Sequence, residues 1–351
     1  MRILVTGGAG FIGSNFIRYI LDGDRGIQVT NLDALTYAGN LENLQGVADH
    51  PGYRFVRGDI CDFELVRELV QGMDAVVNLA AESHVDRSLV SATPFVQTNV
   101  MGTQNLLAAA LEAKVPRFVQ VSTDEVYGEL PWFDPESPDP DAPRFTEETP
   151  LNPRSPYSAT KAGADLLALS YHTTHQSDVI VTRCSNNYGP YQFPEKLIPL
   201  MVTNALEGRS LPVYGDGLNV RDWIHVSDHC RGLHLALENG SAGRVYNFGG
   251  NAERTNLQVV RAIASAVEIS DELITFVEDR RGHDRRYAID HSRAVKELGW
   301  EPLVGFEEGL ESTVEWYRRH EGWWQRIRSG EYQQFYREMY GDGGRHRPPS
   351  P

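Results

Sequence analysis

The 351-residue chain exceeds one average domain, and its 41% hydrophobic content can supply a sizeable core with a second lobe attached. A formal net charge of −15 repels polyanions and argues against a nucleic-acid partner, and no apolar run is long enough to span a bilayer. The opening Met1–Thr6 is too short for a signal sequence, so the chain reads as soluble and cytoplasmic; Cys61, Cys184 and Cys230, odd in number and without metal-ligand spacing, read as reduced packing thiols with no metal site.

The predicted elements begin with a strand at Arg2–Thr6, a glycine turn at Gly7–Gly13 and a helix at Ser14–Leu21, with Phe16, Ile17, Ile20 and Leu21 at helical spacing. Further strands are predicted at Ile27–Leu32, Arg54–Val56, Ala75–Leu79, Phe118–Val121 and Val179–Thr182. Helical stretches at Glu64–Gln71, Val100–Ala113 and Ser158–His175 separate some of them. This alternation predicts an α/β fold, a Rossmann-type doubly wound parallel sheet with a smaller C-terminal substrate-binding lobe. Prolines loosen the pattern beyond Gly189, while Val245–Gly249 reads as one more strand. Residues 1–189, with 222–250 returning to them, are expected to form the Rossmann domain; 190–221 and 251–330 are expected to form the second lobe. The acidic, proline-rich Pro131–Pro150 stretch reads as a surface loop, either a lid or an inert insertion, and residues 341–351 as a disordered tail.

Gly8-x-Gly10-x-x-Gly13 lies between a strand and a helix, and Asp33 follows twenty residues after Gly13 at the end of the second strand. Glycines let the backbone approach a pyrophosphate at the helix amino terminus, and an acid in this position accepts hydrogen bonds from a ribose diol. A 2′-phosphate would be repelled by Asp33, and Asp33-Ala-Leu35 offers no adjacent arginine, so NAD is expected rather than NADP. Asp59, after the third strand, reads either as an adenine contact or as a solvated loop acid.

Tyr157 and Lys161, four residues apart, share a helix face, and a nearby ammonium favours the phenolate over a phenol of pKa about 10. Such a base takes a hydroxyl proton while the same carbon is oxidised. Thr123 can hold the substrate oxygen. Alcohol oxidation has no use for Asp124 and Glu125; beside a new ketone, one carboxylate can remove the acidified C–H proton while the other, protonated, expels a β-hydroxyl as water. The alternative is that both merely cap the next turn.

These residues resemble the extended short-chain dehydrogenase/reductase superfamily and, within it, the dTDP-glucose 4,6-dehydratases. The motifs that carry the resemblance are Asn31–Asn40, Asn78–Ser88, Ser122-Thr-Asp-Glu-Val-Tyr-Gly128, Arg183–Tyr191 and Arg281-Gly-His-Asp284. The likeness runs from about Met1 to Trp324, and the Thr-Asp-Glu trio discriminates against sugar-nucleotide epimerases, which generally lack the acidic pair.

The resemblance implies NAD-dependent dehydration of dTDP-glucose to dTDP-4-keto-6-deoxyglucose. Tyr157 would take the C4 hydroxyl proton, Glu125 the C5 proton, and Asp124 would protonate the departing C6 hydroxyl before hydride returns to C6. It also implies cofactor contacts from Gly7, Gly10, Phe11, Ile12, Gly13, Asp33, Thr36, Asp59, Ile60, Ala80, Ala81, Thr98, Tyr157 and Lys161. Substrate contacts are implied for Ser83, Thr123, Asn186, Lys196, Leu197, Pro212, Tyr214, Arg221, Asn256, Arg280, His283 and Tyr287, with Lys196, Arg221 and Arg280 answering the diphosphate charge. A homodimer built on two helices per subunit is implied as well; Leu106, Leu107 and Ala110 on one helix and Leu166, Leu167 and Leu169 on the other could form that face or simply cover the sheet. The competing readings are a UDP-sugar 4-epimerase or decarboxylase, against which the acidic pair speaks, a GDP-mannose 4,6-dehydratase, whose expected NADP preference conflicts with Asp33, and a non-catalytic NAD-sensing regulator.

Overall fold

The computed structural model describes residues 1–23, 26–133, 142–279 and 282–330. Seven strands, β1 (Arg2–Thr6), β2 (Gln28–Asp33), β3 (Tyr53–Arg57), β4 (Ala75–Asn78), β5 (Arg117–Thr123), β6 (Val179–Cys184) and one later strand, Val245–Phe248, form a parallel sheet. Strand β4 and β6 are buried along their whole length, which is why both read as continuous apolar runs rather than as alternating ones. Helix Phe11–Leu21 and helix Val226–Asn239 pack Phe16, Ile17, Ile20 and Leu233 on one face. Helices Phe63–Leu69 and Thr103–Glu112 pack Val66, Leu69, Leu106, Leu107 and Ala110 on the other. Those last three side chains therefore cover the sheet and are not available as a dimer face, in contrast to one of the two sequence expectations; Leu166 on the neighbouring long helix is 60% exposed.

The remaining strands build the second lobe and its junction: β7 (Asn186–Tyr188), β8 (Leu211–Tyr214) and β9 (Val220–His225) precede the Val245–Phe248 strand, β10, and β11 (Glu253–Thr255) and β12 (Ile274–Val277) follow it. The large sheet has the order β10-β6-β5-β4-β1-β2-β3, so strand order reverses beside β1, where the carboxyl ends of β1 and β4 open a crevice. Small sheets β11-β9-β7 and β12-β8 lean on a separate apolar core in which Tyr188, Trp223, Val259, Phe306, Tyr317, Trp323 and Trp324 are buried. The predicted loop at 131–150 lies partly outside the described residues. Its two flanks are tied down, Trp132 by an indole hydrogen bond to the Leu218 carbonyl (3.0 Å) and Pro143 by its carbonyl to Arg286 (2.9 Å). The predicted tail at 341–351 also lies outside the described residues.

Candidate active site

The glycine turn follows β1 directly. Gly7 has φ +70°, and a Cβ there would lie 2.7 Å from the Ala80 backbone; a Cβ at Gly13 would lie 2.2 Å from the Gly7 carbonyl oxygen. No larger residue fits either place, so β1, β4 and the helix amino terminus converge closely enough to cradle a pyrophosphate. At the end of β2, Asp33 accepts the Ala9 N–H through Oδ2 and the Leu35 N–H through Oδ1, both at 2.8 Å. These bonds hold Leu35 in the left-handed region at φ 53° and fix the carboxylate toward the crevice. Burial pushes the Asp33 carboxyl above its ordinary range, and the two backbone N–H groups oppose that rise.

On the other side of the crevice, β5 ends in Thr123, whose hydroxyl accepts the Glu125 N–H at 3.3 Å and so caps the short 3-10 turn Asp124–Tyr127. The cap is Thr123, and the two acids it presents are free of that task. Helix Pro156–His175 begins with a capping box between Ser155 and Ser158 and with Pro156 at its first position, which fixes Tyr157 and Lys161 in the first two turns. Tyr157 sits edge-on to Phe95, with ring centroids 6.4 Å apart.

Electrostatics separate the groups. Asp124 is 1% exposed, and burial, followed by the charges of Glu125 and Asp222, pushes it well above the carboxylate range; Arg221 and the Thr123 hydroxyl work the other way. A carboxyl so placed holds its proton more tightly than an exposed one and suits a general acid. Burial and then Glu125 raise Tyr157 well above the ordinary phenol, while a hydrogen bond from Thr123 opposes the rise. One expectation needs correction: Lys161 Nζ donates to the Val121 carbonyl at 2.7 Å and is itself lowered by burial, so in this arrangement its contact is with the strand leading to Thr123 rather than with the phenol.

One cleft of about 320 Å³ is lined by all fourteen residues named above for the cofactor, by Thr123, Asp124 and Glu125, and by Ser83, Asn186 and Lys196. Lys196 Nζ reaches the Ser83 carbonyl (3.0 Å), joining the two lobes. Leu197 opens the next helix, and Pro212 and Tyr214 lie on β8, beyond the lining. Arg221, Asn256, His283 and Tyr287 also lie beyond it, and all but His283 are knitted together. The Arg221 guanidinium stands 4.3 Å over the Tyr287 ring and donates to the Asp284 carbonyl (2.8 Å), the same carbonyl that accepts Asn219 Nδ2 (3.1 Å). Asn256 N–H in turn bonds Asn219. Tyr287 feels the Glu125 charge and Asp124 that of Arg221, which brings this cluster close to the acids. His283 pairs with Asp279 (2.6 Å) rather than with Asp284, whose carboxylate takes the Tyr287 hydroxyl. Arg280 lies outside the described residues. The sequence reading missed Tyr37, Glu82, Cys184, Gln192, Phe193 and Glu195 in the lining, although Tyr37, Glu82 and Cys184 stand inside motifs it quoted. Among the described residues no cluster of His, Cys, Asp or Glu could hold a metal ion, and no helix is long and apolar enough to cross a membrane.

Known proteins share this fold and sequence. Residues 4–313 match the family described as GDP-mannose 4,6 dehydratase. A dTDP-glucose 4,6-dehydratase from Streptomyces niveus is 54% identical over 94% of this chain and 96% of its own length. The chain belongs to the dTDP-glucose 4,6-dehydratase family. Among its solved members, DesIV from Streptomyces venezuelae, with NAD and TYD bound, superposes with a TM-score of 0.89 at 51% identity, covering 93% of this chain and all of that one. The family also takes in sequences with other names: the low-salt glycan biosynthesis protein Agl12 of Haloferax volcanii is 57% identical over 90% of this chain and 98% of its own.

Proposed function

We propose that the protein dehydrates dTDP-glucose to dTDP-4-keto-6-deoxyglucose with NAD as its resident cofactor, by oxidation at C4, loss of water across C5 and C6, and reduction at C6. The observation that carries this reading is the placement of Asp124 and Glu125, beside Thr123 and Tyr157, in the wall of the same cleft as the glycine turn and Asp33. The names of the dehydratase relatives and the NAD in DesIV support it.

The glycine turn, the open N–H groups of helix Phe11–Leu21 and the Asp33 carboxylate suit NAD, which when bound supplies an acceptor for the electrons of C4 and a donor for C6. The chain's own residues handle the protons. Tyr157 takes the C4 hydroxyl proton; burial and Glu125 hold its phenol up, the Thr123 hydroxyl, which also reaches the Asp124 carboxyl (3.4 Å to Oδ1), opposes that rise, and the positive charge that NAD would bring to the cleft favours the phenolate the step needs. Glu125 removes the C5 proton once the neighbouring carbon is a ketone and returns it to C5 as C6 is reduced, while Asp124, whose proton is held more tightly by burial, releases it to the departing C6 oxygen, a loss balanced by the proton that Tyr157 took. Lys161 anchors the end of β5 through Val121 and so fixes Thr123. The large sheet with its β10 return holds the cofactor, and the lobe beyond residue 190 holds the nucleotide, where Lys196 and Arg221 supply positive charge toward the diphosphate. A homodimer joined through the faces that expose Met101 (54%) and Leu166 (60%), and a cytoplasmic location, complete the reading.

The test is incubation of the purified protein with dTDP-, UDP-, CDP- and GDP-linked hexoses, without added reductant, followed by mass spectrometry. Loss of one water from dTDP-glucose alone is expected. Unchanged mass with inversion at C4 would replace this reading with an epimerase, and no reaction with any sugar would favour a non-catalytic NAD sensor.

A further inference from the structure

A reaction that takes electrons from C4 and gives them back at C6 fails if the reduced cofactor leaves between the two steps. Retention therefore matters more here than in a dehydrogenase that exchanges its cofactor each turnover, and the structure contains a connection suited to it. Ala9 sits in the glycine turn with both of its backbone groups engaged: its N–H donates to Asp33 Oδ2 (2.8 Å), and its carbonyl accepts Asn43 Nδ2 (3.0 Å) and the Asn40 N–H (3.0 Å). The other end of the Asn43 amide, Oδ1, accepts the indole N–H of Trp323 at 3.0 Å.

Trp323 belongs to helix Glu321–Ser329, 280 residues further along the chain and packed in the core of the second lobe. Asn43 is 1% exposed and Trp323 is 6% exposed, so neither bond competes with bulk water. An asparagine suits this position because its side chain donates at one end and accepts at the other; a carboxylate would set two acceptors against each other at Ala9. The Asn43 backbone is fixed in turn, its carbonyl taking Arg18 Nε (2.9 Å) and Nη2 (2.6 Å). The Arg18 guanidinium also stands 4.7 Å over the Tyr191 ring, and Asn15 donates to the Pro190 carbonyl (2.9 Å). Arg18 and Asn15 project from the helix whose amino terminus seats the pyrophosphate. Pro190 and Tyr191 lead into Gln192 and Phe193, which line the cleft.

We infer that Asn43 is a positioning residue that couples the carboxy-terminal helix, through Trp323, to the Ala9 carbonyl, and so governs how long the dinucleotide stays in the glycine turn. The inference rests on the proposed NAD-dependent reading, but it concerns residence of the cofactor and not the chemistry. Its consequence is that a change at the far end of the chain alters cofactor release without touching a residue that lines the cleft.

The experiment compares two conservative changes in one helix. Trp323→Phe removes the indole N–H that Asn43 accepts; Trp324→Phe removes an indole N–H that goes to the Tyr317 carbonyl (2.9 Å), within the second lobe. Each deletes one buried hydrogen bond, so the general loss of stability is matched. NAD content after gel filtration, and the rate of NAD loss on dilution, are measured by absorbance without any sugar nucleotide. Trp323→Phe is expected to lose NAD on the order of tenfold faster than Trp324→Phe, the equivalent of about one hydrogen bond. Its turnover with dTDP-glucose should return to the wild-type value in excess NAD. Asn43→Asp, which breaks the same connection at its centre, should match or exceed Trp323→Phe and gives the answer if Trp323→Phe does not fold. Equal NAD loss from Trp323→Phe and Trp324→Phe, or a folded Asn43→Asp that keeps its NAD, would overturn the inference. Wild-type protein that binds no NAD at all would instead overturn the functional reading beneath it.

Discussion

At the β1–β2 end of the cleft the recognition surface is mostly backbone. Two glycines admit no side chain, a helix amino terminus offers its N–H groups, and Asp33 accepts one backbone N–H on each oxygen at 2.8 Å. At the β5–β6 end it is mostly side chain, and Asp124 is under-partnered: its Oδ2 has no hydrogen-bond partner among the described residues, and it lies against the charges of both Glu125 and Asp222. A carboxylate held by a backbone donor on each oxygen is a fixed acceptor, with a lone pair left on each for a ribose hydroxyl. An under-partnered one responds to a proton or an incoming oxygen, and that is what acid–base chemistry requires. The two ends therefore divide binding from reaction, and substitutions should separate the two properties.

The largest effect is expected at Tyr157. Tyr157→Phe keeps the ring against Phe95 but removes the oxygen that takes the C4 proton, so turnover should fall by about 10²–10⁴-fold with NAD content unchanged. Near-normal product formation would end the proton-transfer assignment. Asp124→Asn comes next. An amide has the shape of the acid without its acidic proton, so water loss should slow by about 10²-fold while C4 oxidation continues, seen as reduced cofactor accumulating at 340 nm. Stability should move the other way. The folded pKa of Asp124 lies above the unfolded value of about 3.9, so its contribution is fullest below that value and is lost as pH rises through the folded pKa. Asp124→Asn removes this loss, and the variant should melt above wild type at neutral pH, with the gap closing toward about pH 4. A gap that is constant with pH would mean that Asp124 is ionised in the native protein.

The same contrast explains which parts were legible in sequence. The binding end is local: a strand, a glycine turn, a helix and an acid twenty residues later, each encoded within a few positions, so β1 falls on the predicted Arg2–Thr6. The reacting end was legible as residue types but not as geometry. Strands β5 and β6 extend past the apolar runs that announce them to Thr123 and Cys184, because register with neighbours, Thr123 opposite Cys184, carries polar residues into the sheet. Short second-lobe strands such as β9, which buries Arg221 and Asp222, take their form from tertiary pairing and leave no periodicity to read. The contact between Asn43 and Trp323 spans the chain, and no local pattern signals it.

A smaller effect, and the one that tests the backbone end directly, is expected at Asp33. Both carboxylate oxygens already accept a backbone N–H, so Asp33→Asn must turn an amide NH₂ toward either Ala9 or Leu35, setting donor against donor beside a residue held at positive φ. It also removes the negative charge that would meet a 2′-phosphate. NAD affinity should drop by about 10–100-fold, the range for one poorly satisfied buried polar group, and the preference for NAD over NADP should narrow, both read by titration. Turnover at saturating NAD should change little, because no proton passes through Asp33. A large fall in that turnover with unchanged NAD affinity would reverse the division of labour, placing Asp33 with the reacting groups and leaving the glycine turn to bind the cofactor alone.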